Sequence, residues 1–220
     1  MMGKNASSAE RAARKRRERE ARVKAGKVRR RTAREAIASR SKQIRVGDLP
    51  VHDCVVSRGW SDSGLAHILM ARQETDGNVV VGGYYVDILC VGLKDSAVVR
   101  GVSAKEYEER VKPNIFKDIV QFENCDPGVA KGIVEGAMLF AEKFGFRPNR
   151  RWEESKTILD GIVPKPEGLA FGRGGKPCLV VRKSDSANAA LRKLDRFAGA
   201  GNYTVVREVS DEGETESGAD

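Results

Sequence analysis

The sequence predicts an α+β fold, a mainly antiparallel sheet packed by helices. Three observations carry this. Apolar runs of strand length follow one another instead of alternating strictly with helices, which sets the pattern apart from a doubly wound sheet. Asp76-Gly77 stands between two such runs and marks a tight hairpin. Two later segments open on helix caps: Ser103 with Glu106 three residues on, and Asp126 before Pro127.

In chain order, Pro50 introduces a first strand over 51–57. Gly59, Ser61, Asp62 and Gly64 read as a turn-rich loop, and 65–72 as a second strand. After the hairpin turn, 79–91 reads as one long third strand, its unbroken apolar character placing it centrally in the sheet. Asp95-Ser96 turns the chain, and 97–102 is a fourth strand. The helix opened by Asp126-Pro127 keeps an apolar stripe of Val129, Ile133, Val134, Ala137, Phe140, Ala141 and Phe144, and Gly145 ends it. Asn149 caps a short helix carrying Trp152, Ile158 and Leu159. Residues 169–171 and 177–181 read as a hairpin around Gly174-Gly175. Asp185 or Ser186 caps a helix with Ala190, Leu194 and Phe197, and 203–208 is a final strand.

Charge divides the 220 residues into three parts. Residues 1–45 hold 17 Lys and Arg against four Glu, +13; residues 207–220 hold one Arg against six acids, −5; the middle is nearly neutral at +1. The expected organisation is a basic arm (1–45), a single α+β domain (46–209) and an acidic disordered tail (210–220), since like-charge blocks mark solvated or interacting tails. No run of about 18 apolar residues and no secretory h-region occurs, so the expectation is a cytoplasmic protein without membrane attachment. Cys54, Cys90, Cys125 and Cys178 form no C-x-x-C pair, which argues against a zinc ribbon.

The arm favours helix by composition, yet between residues 3 and 43 its only larger apolar residues are Val23, Val28 and Ile37, so it is expected to be disordered or helical without packing on a core. Its dense cations, among them Arg14, Lys15, Arg16, Arg17, Arg29, Arg30, Arg31 and Arg34, suit a polyanion, because each phosphate neutralised releases condensed counterions. No Trp, Phe or Leu is present to insert in a membrane, and four Glu sit poorly in a transit peptide. A solvated tail, or docking on an acidic protein, is the plainer reading. The expected function is therefore nucleic-acid binding through the arm, with RNA favoured over DNA, without catalysis or cofactor. Helix-turn-helix, P-loop, Rossmann and G-x-S-x-G patterns are missing from the sequence.

The alternative is a divalent-metal-dependent nuclease or phosphodiesterase. Asp87 interrupts the apolar run 79–93, where an unpaired carboxylate is costly. It either anchors a metal beside Asp95, Glu135 or Asp53, or accepts hydrogen bonds from loop amides. The structural reading is preferred. Lys94, Arg173 and Lys176 are candidate phosphate contacts, and Trp60, Tyr84 and Tyr85 candidate stacking surfaces. Cys90 reads as a buried hydrophobe, and His52 and His67 as hydrogen-bonded histidines.

The phrases Gly64-Leu65-Ala66-His67-Ile68-Leu69-Met70-Ala71-Arg72, Asp76-Gly77 and Tyr85-Val86-Asp87-Ile88-Leu89-Cys90-Val91-Gly92-Leu93-Lys94-Asp95 resemble a group of uncharacterised bacterial proteins. Gly145-Phe146-Arg147-Pro148, Phe171-Gly172 and Gly175-Lys176-Pro177 are similar too. The resemblance covers about residues 50–182. It implies a shared fold and a bacterial origin, and no reaction.

Overall fold

The computed structural model describes residues 44–116, 121–181 and 187–207. Most of the basic arm, the acidic tail and the cap at Asp185 or Ser186 lie outside the described residues.

The protein is α+β. Strands β1 (Val51–Ser57), β2 (Leu65–Gln73), β3 (Asn78–Asp87), β4 (Gly92–Ser103) and β5 (Phe122–Asn124) form one antiparallel sheet in the order β4-β3-β2-β1-β5. The Asp-Gly hairpin forms as expected: β2 and β3 pair in unbroken register from Leu65 opposite Asp87 to Gln73 opposite Val79. Gly77 takes φ +86 in the turn, and the Asp76 carboxylate accepts a hydrogen bond from the Asn78 amide at 3.0 Å.

The sheet is covered on both sides. Side chains alternate along a strand, so Val80, Tyr84 and Val86 face one way and Val79 and Val81 the other. The first face packs on helices α1 (Pro127–Glu142) and α2 (Trp152–Leu159) through Ile133, Val134, Ala137, Ile158 and Leu159. The second is closed by Tyr107, Val111, Ile115 and Phe116. That covering segment starts where the Ser103 hydroxyl accepts from the Glu106 amide at 3.1 Å, then continues through a π turn, Tyr107–Val111. Asp53 anchors it from β1, its carboxylate accepting from the Tyr107 hydroxyl and the Lys112 ammonium, each at 2.7 Å.

α1 starts as expected. The Asp126 carboxylate accepts from the Gly128 and Val129 amides at 2.8 and 3.2 Å, with Pro127 in the first turn. The C-terminal part is a β-α-β unit: β6 (Cys178–Val181), α3 (Asn188–Phe197) and β7 (Thr204–Arg207), with β6 and β7 parallel. Leu194 of α3, Leu179 of β6, and Phe146 and Ala141 at the end of α1 form its core.

Four expectations are corrected. The third strand ends at Asp87, not at residue 91, because Asp87 starts a buried turn; the fourth accordingly begins at Gly92. Residues 60–63 form a single helical turn inside the expected loop. β5 is an edge strand that the sequence reading left out. Residues 169–171 are not a strand. They cross α1, where the Phe171 ring fills the space above Gly136 and stacks on Phe140 at 6.4 Å. Gly174 and Gly175 do make the expected tight turn, with φ +57 and +75, but it closes only the isolated Arg173–Lys176 bridge.

The crossing depends on a glycine stripe on α1. Gly128, Gly132 and Gly136, four residues apart, let the segment 163–171 lie against the helix, and the Lys165 amide donates to the Gly128 carbonyl at 2.9 Å. A Cβ on Gly132 would sit 2.6 Å from the Lys165 carbonyl oxygen. Helix propensity alone predicts that Gly132→Ala stabilises by about 1 kcal/mol. The backbone clash reverses the sign, and Gly132→Ala should destabilise by about 1–3 kcal/mol. Urea unfolding checks this, and a raised midpoint would show that the crossing segment yields without cost.

Candidate functional site

Asp87 is buried, and its carboxylate is committed to the chain itself. Oδ1 accepts from the Leu89 and Cys90 amides at 2.8 and 2.9 Å, which closes the turn 88–91. That turn is a junction. The Ile88 amide donates to Gly64, the Ile88 carbonyl accepts from Gly172, and the Leu89 carbonyl accepts from Cys178, at 2.9–3.0 Å. One carboxylate therefore fixes the point where the sheet meets the C-terminal β-α-β unit. Burial raises the Asp87 carboxyl above the ordinary aspartate range, and the turn amides and Lys94 partly offset this.

The other acids named for a metal site are engaged elsewhere. Asp95, at the exposed edge of β4, accepts from Asn149 Nδ2 at 2.6 Å and from its neighbour's amide, Ser96, at 2.8 Å; Arg151 lies 3.3 Å away. Glu135 pairs with Lys131 one turn back at 3.5 Å. Asp53 holds the π turn on the opposite face. Among the described residues no group of three or more His, Cys, Asp or Glu is placed to hold a metal ion.

The candidate stacking aromatics divide. Tyr84 is fully buried, and its hydroxyl donates to the Ser155 carbonyl at 2.8 Å, so its ring is closed to a base. Trp60 packs against the helical-face core. Tyr85 is half-buried on the other face, stacked on His67 at 4.6 Å, with the Lys94 ammonium 5.0 Å from its ring centre. His52 lies edge-on to Tyr107. Arg147, Arg150, Arg173 and Lys176 are exposed. The basic candidates Arg14, Lys15, Arg16, Arg17, Arg29, Arg30, Arg31 and Arg34 lie outside the described residues.

A groove of about 620 Å³ runs beside the C-terminal half of α1, lined by Glu135, Met138, Leu139, Glu142, Phe146, Arg147 and Pro148. The sequence reading passed over it, since Leu139 lies off the apolar stripe and is 64% exposed. It also passed over Cys54 and Cys125, which are distant in sequence and neighbours across β1 and β5. No family model, no curated protein and no solved structure matches the chain. Among the described residues no helix is long and apolar enough to cross a membrane.

The geometry at Asp87 makes a prediction that separates a turn cap from a reacting group. Asp87→Asn keeps an acceptor for both amides and should change stability by no more than about 1 kcal/mol, whereas Asp87→Ala should cost about 2–3 kcal/mol. Because the folded carboxyl titrates above its unfolded value, the folded state binds more protons across that interval. Wild-type stability should therefore fall as pH rises from the ordinary aspartate value through the raised one, and then level off. Asp87→Asn should lack that fall. Urea midpoints of wild type and variant from pH 3.5 to neutrality check it; parallel curves would contradict the assignment.

Proposed function

We propose that the protein binds nucleic acid, with RNA preferred, through the basic arm of residues 1–45, and that the folded domain serves as its platform without catalysis. The observation that carries this reading is the charge division: +13 in the first 45 residues against +1 over residues 46–206. The pairing of several of the domain's cations supports it. Arg58 lies by Glu123, Arg100 by Glu154, Arg110 by Glu106, Lys112 by Asp53, Arg151 by Asp95 and Lys165 by Asp126, all within 4.0 Å. Cations already facing carboxylates offer little net field to a polyanion, while the arm's cations greatly outnumber its acids. The commitment of Asp87, Asp95 and Glu135 to the domain's own groups favours binding over metal-assisted cleavage. In this reading the protein works in the cytoplasm, and the resemblance over residues 50–182 describes its platform.

The arm's cations are closely spaced along the sequence, a pattern that suits phosphate contacts over base reading in a fixed geometry. Affinity should fall steeply with salt, by about 0.7–0.9 in log–log slope per phosphate neutralised. The variant R29A/R30A/R31A should bind all base sequences more weakly and flatten that slope by about 2. Fluorescence anisotropy with single-stranded RNA and DNA across a salt series measures both quantities. An unchanged slope in the variant would remove these arginines from the interface, and equal RNA and DNA affinity would remove the preference for RNA.

A further inference from the structure

Cys54 and Cys125 are directly opposed across an antiparallel ladder. β1 pairs with β5 through Val55 opposite Asn124, and the next pair in register is Cys54 opposite Cys125. The ladder continues there, since the Cys125 amide donates to the Cys54 carbonyl at 2.9 Å. Opposed residues project from the same face of a sheet. Cys54 accordingly belongs to the buried cluster on the helical face, and Cys125 packs against that cluster. The two thiols interact with each other, and the Cys125 thiol also donates to the Asp126 carbonyl at 3.5 Å. Residues opposed at a hydrogen-bonded position have Cα atoms about 5.5 Å apart, within the span that a disulfide bridges without moving the backbone.

The two thiols are not equivalent. Cys54 is 7% exposed, while Cys125 is half-buried at the sheet edge, where a small solute reaches it. The neighbouring Cys54 thiol and the Ala130 amide in the first turns of α1 favour the Cys125 thiolate and lower its pKa. The Cys125 neighbour, with burial, raises the Cys54 pKa and holds its proton in place. The other two cysteines give the contrast. Cys90 and Cys178 are both fully buried, and burial pushes the Cys90 thiol up to about 12.

We propose that Cys54 and Cys125 form a reversible dithiol–disulfide site, with Cys125 the residue that meets the oxidant, Cys54 the residue that resolves it, and a hydroperoxide the substrate class. The Cys125 thiolate attacks the distal peroxide oxygen, the O–O bond breaks, and the leaving oxygen departs as alcohol or water once protonated. Cys125 is then a sulfenic acid. The Cys54 sulfur attacks the Cys125 sulfur, the S–O bond breaks, and the hydroxyl leaves as water with the Cys54 proton. Two thiols have lost two electrons and two protons, and the peroxide has gained them. An external dithiol reverses the change by exchange. The resulting bond ties β1 to the residue preceding the α1 cap.

The test treats the folded full chain with a few equivalents of hydrogen peroxide, then denatures it and alkylates free thiols. The expected product has lost two hydrogens and retains two alkylatable cysteines, Cys90 and Cys178. Its digest contains one disulfide peptide, Cys54 joined to Cys125, and dithiothreitol restores all four thiols. Cys54→Ser should stop at the sulfenic acid, which dimedone traps on Cys125. Cys125→Ser should leave its three thiols unreacted at that dose. Wild type that keeps all four thiols, joins a different pair, or carries the first dimedone adduct on another cysteine overturns the proposal. The wild-type peptide map needs no variant, so a misfolded substitution does not blunt the test.

Discussion

One buried guanidinium holds the entry to β1 and the end of α2 to the sheet. Arg72, near the end of β2, is 3% exposed and donates to four carbonyl oxygens: Ile158 and Asp160 at 2.6 Å, Leu49 at 2.5 Å and Gly47 at 2.9 Å. Two of these acceptors lie where the chain enters β1, and two lie at the end of α2. The last carbonyls of a helix have no partner within it, and buried they would cost about 1–3 kcal/mol each if left unpaired. A guanidinium, with donors fanned in a plane, serves both segments at once; a lysine ammonium does not match that fork. Burial works against the charge and lowers the Arg72 pKa, so the carbonyl dipoles are what keep it tolerable. With both segments fixed, Gly161 packs onto the Gly47 carbonyl, and α2 is set against the sheet through Ile158 and Leu159.

Asp87 plays the corresponding part at the other end of β3. Each of these charged residues interrupts an apolar stretch, the usual mark of a catalytic group, and each is consumed by backbone amides or carbonyls. Much of the domain's buried polarity thus goes into fastening loops, and several of its surface cations face carboxylates. The proposed nucleic-acid contact is placed on the arm, and the proposed dithiol chemistry at the sheet edge.

Much of the sheet was readable from residue pattern. Apolar runs of strand length and Asp76-Gly77 located β1, β2 and the hairpin partner of β2, and the Asp126-Pro127 cap located α1 within a residue. The third strand was read too long because a buried turn and a buried strand are equally apolar; only the hydrogen bonds of Asp87 tell them apart. β5 was invisible because Phe122-Glu123-Asn124 is short and mostly polar, and its identity comes from pairing with β1. The parallel pairing of β6 with β7 is likewise a long-range fact. Gly128, Gly132 and Gly136 stand four residues apart in the sequence, but their use depends on a segment that arrives some 35 residues later. At the candidate sites, the sequence raised Asp87 and weighed its structural role. It had no means of pairing Cys54 with Cys125, because that contact exists only once the register of β5 is set.

The account rests on a division of labour: the domain folds through its own buried contacts, and the arm supplies the attraction to nucleic acid. A chain beginning at Arg45 tests both halves in one buffer. Thermal unfolding should remain a single cooperative transition with Tm within a few degrees of the full chain, since the arm has almost no apolar surface to contribute. RNA affinity at low salt should fall at least about tenfold, and its dependence on salt should largely vanish. A shortened chain that binds RNA as tightly as the full one, with the same salt slope, would contradict the account.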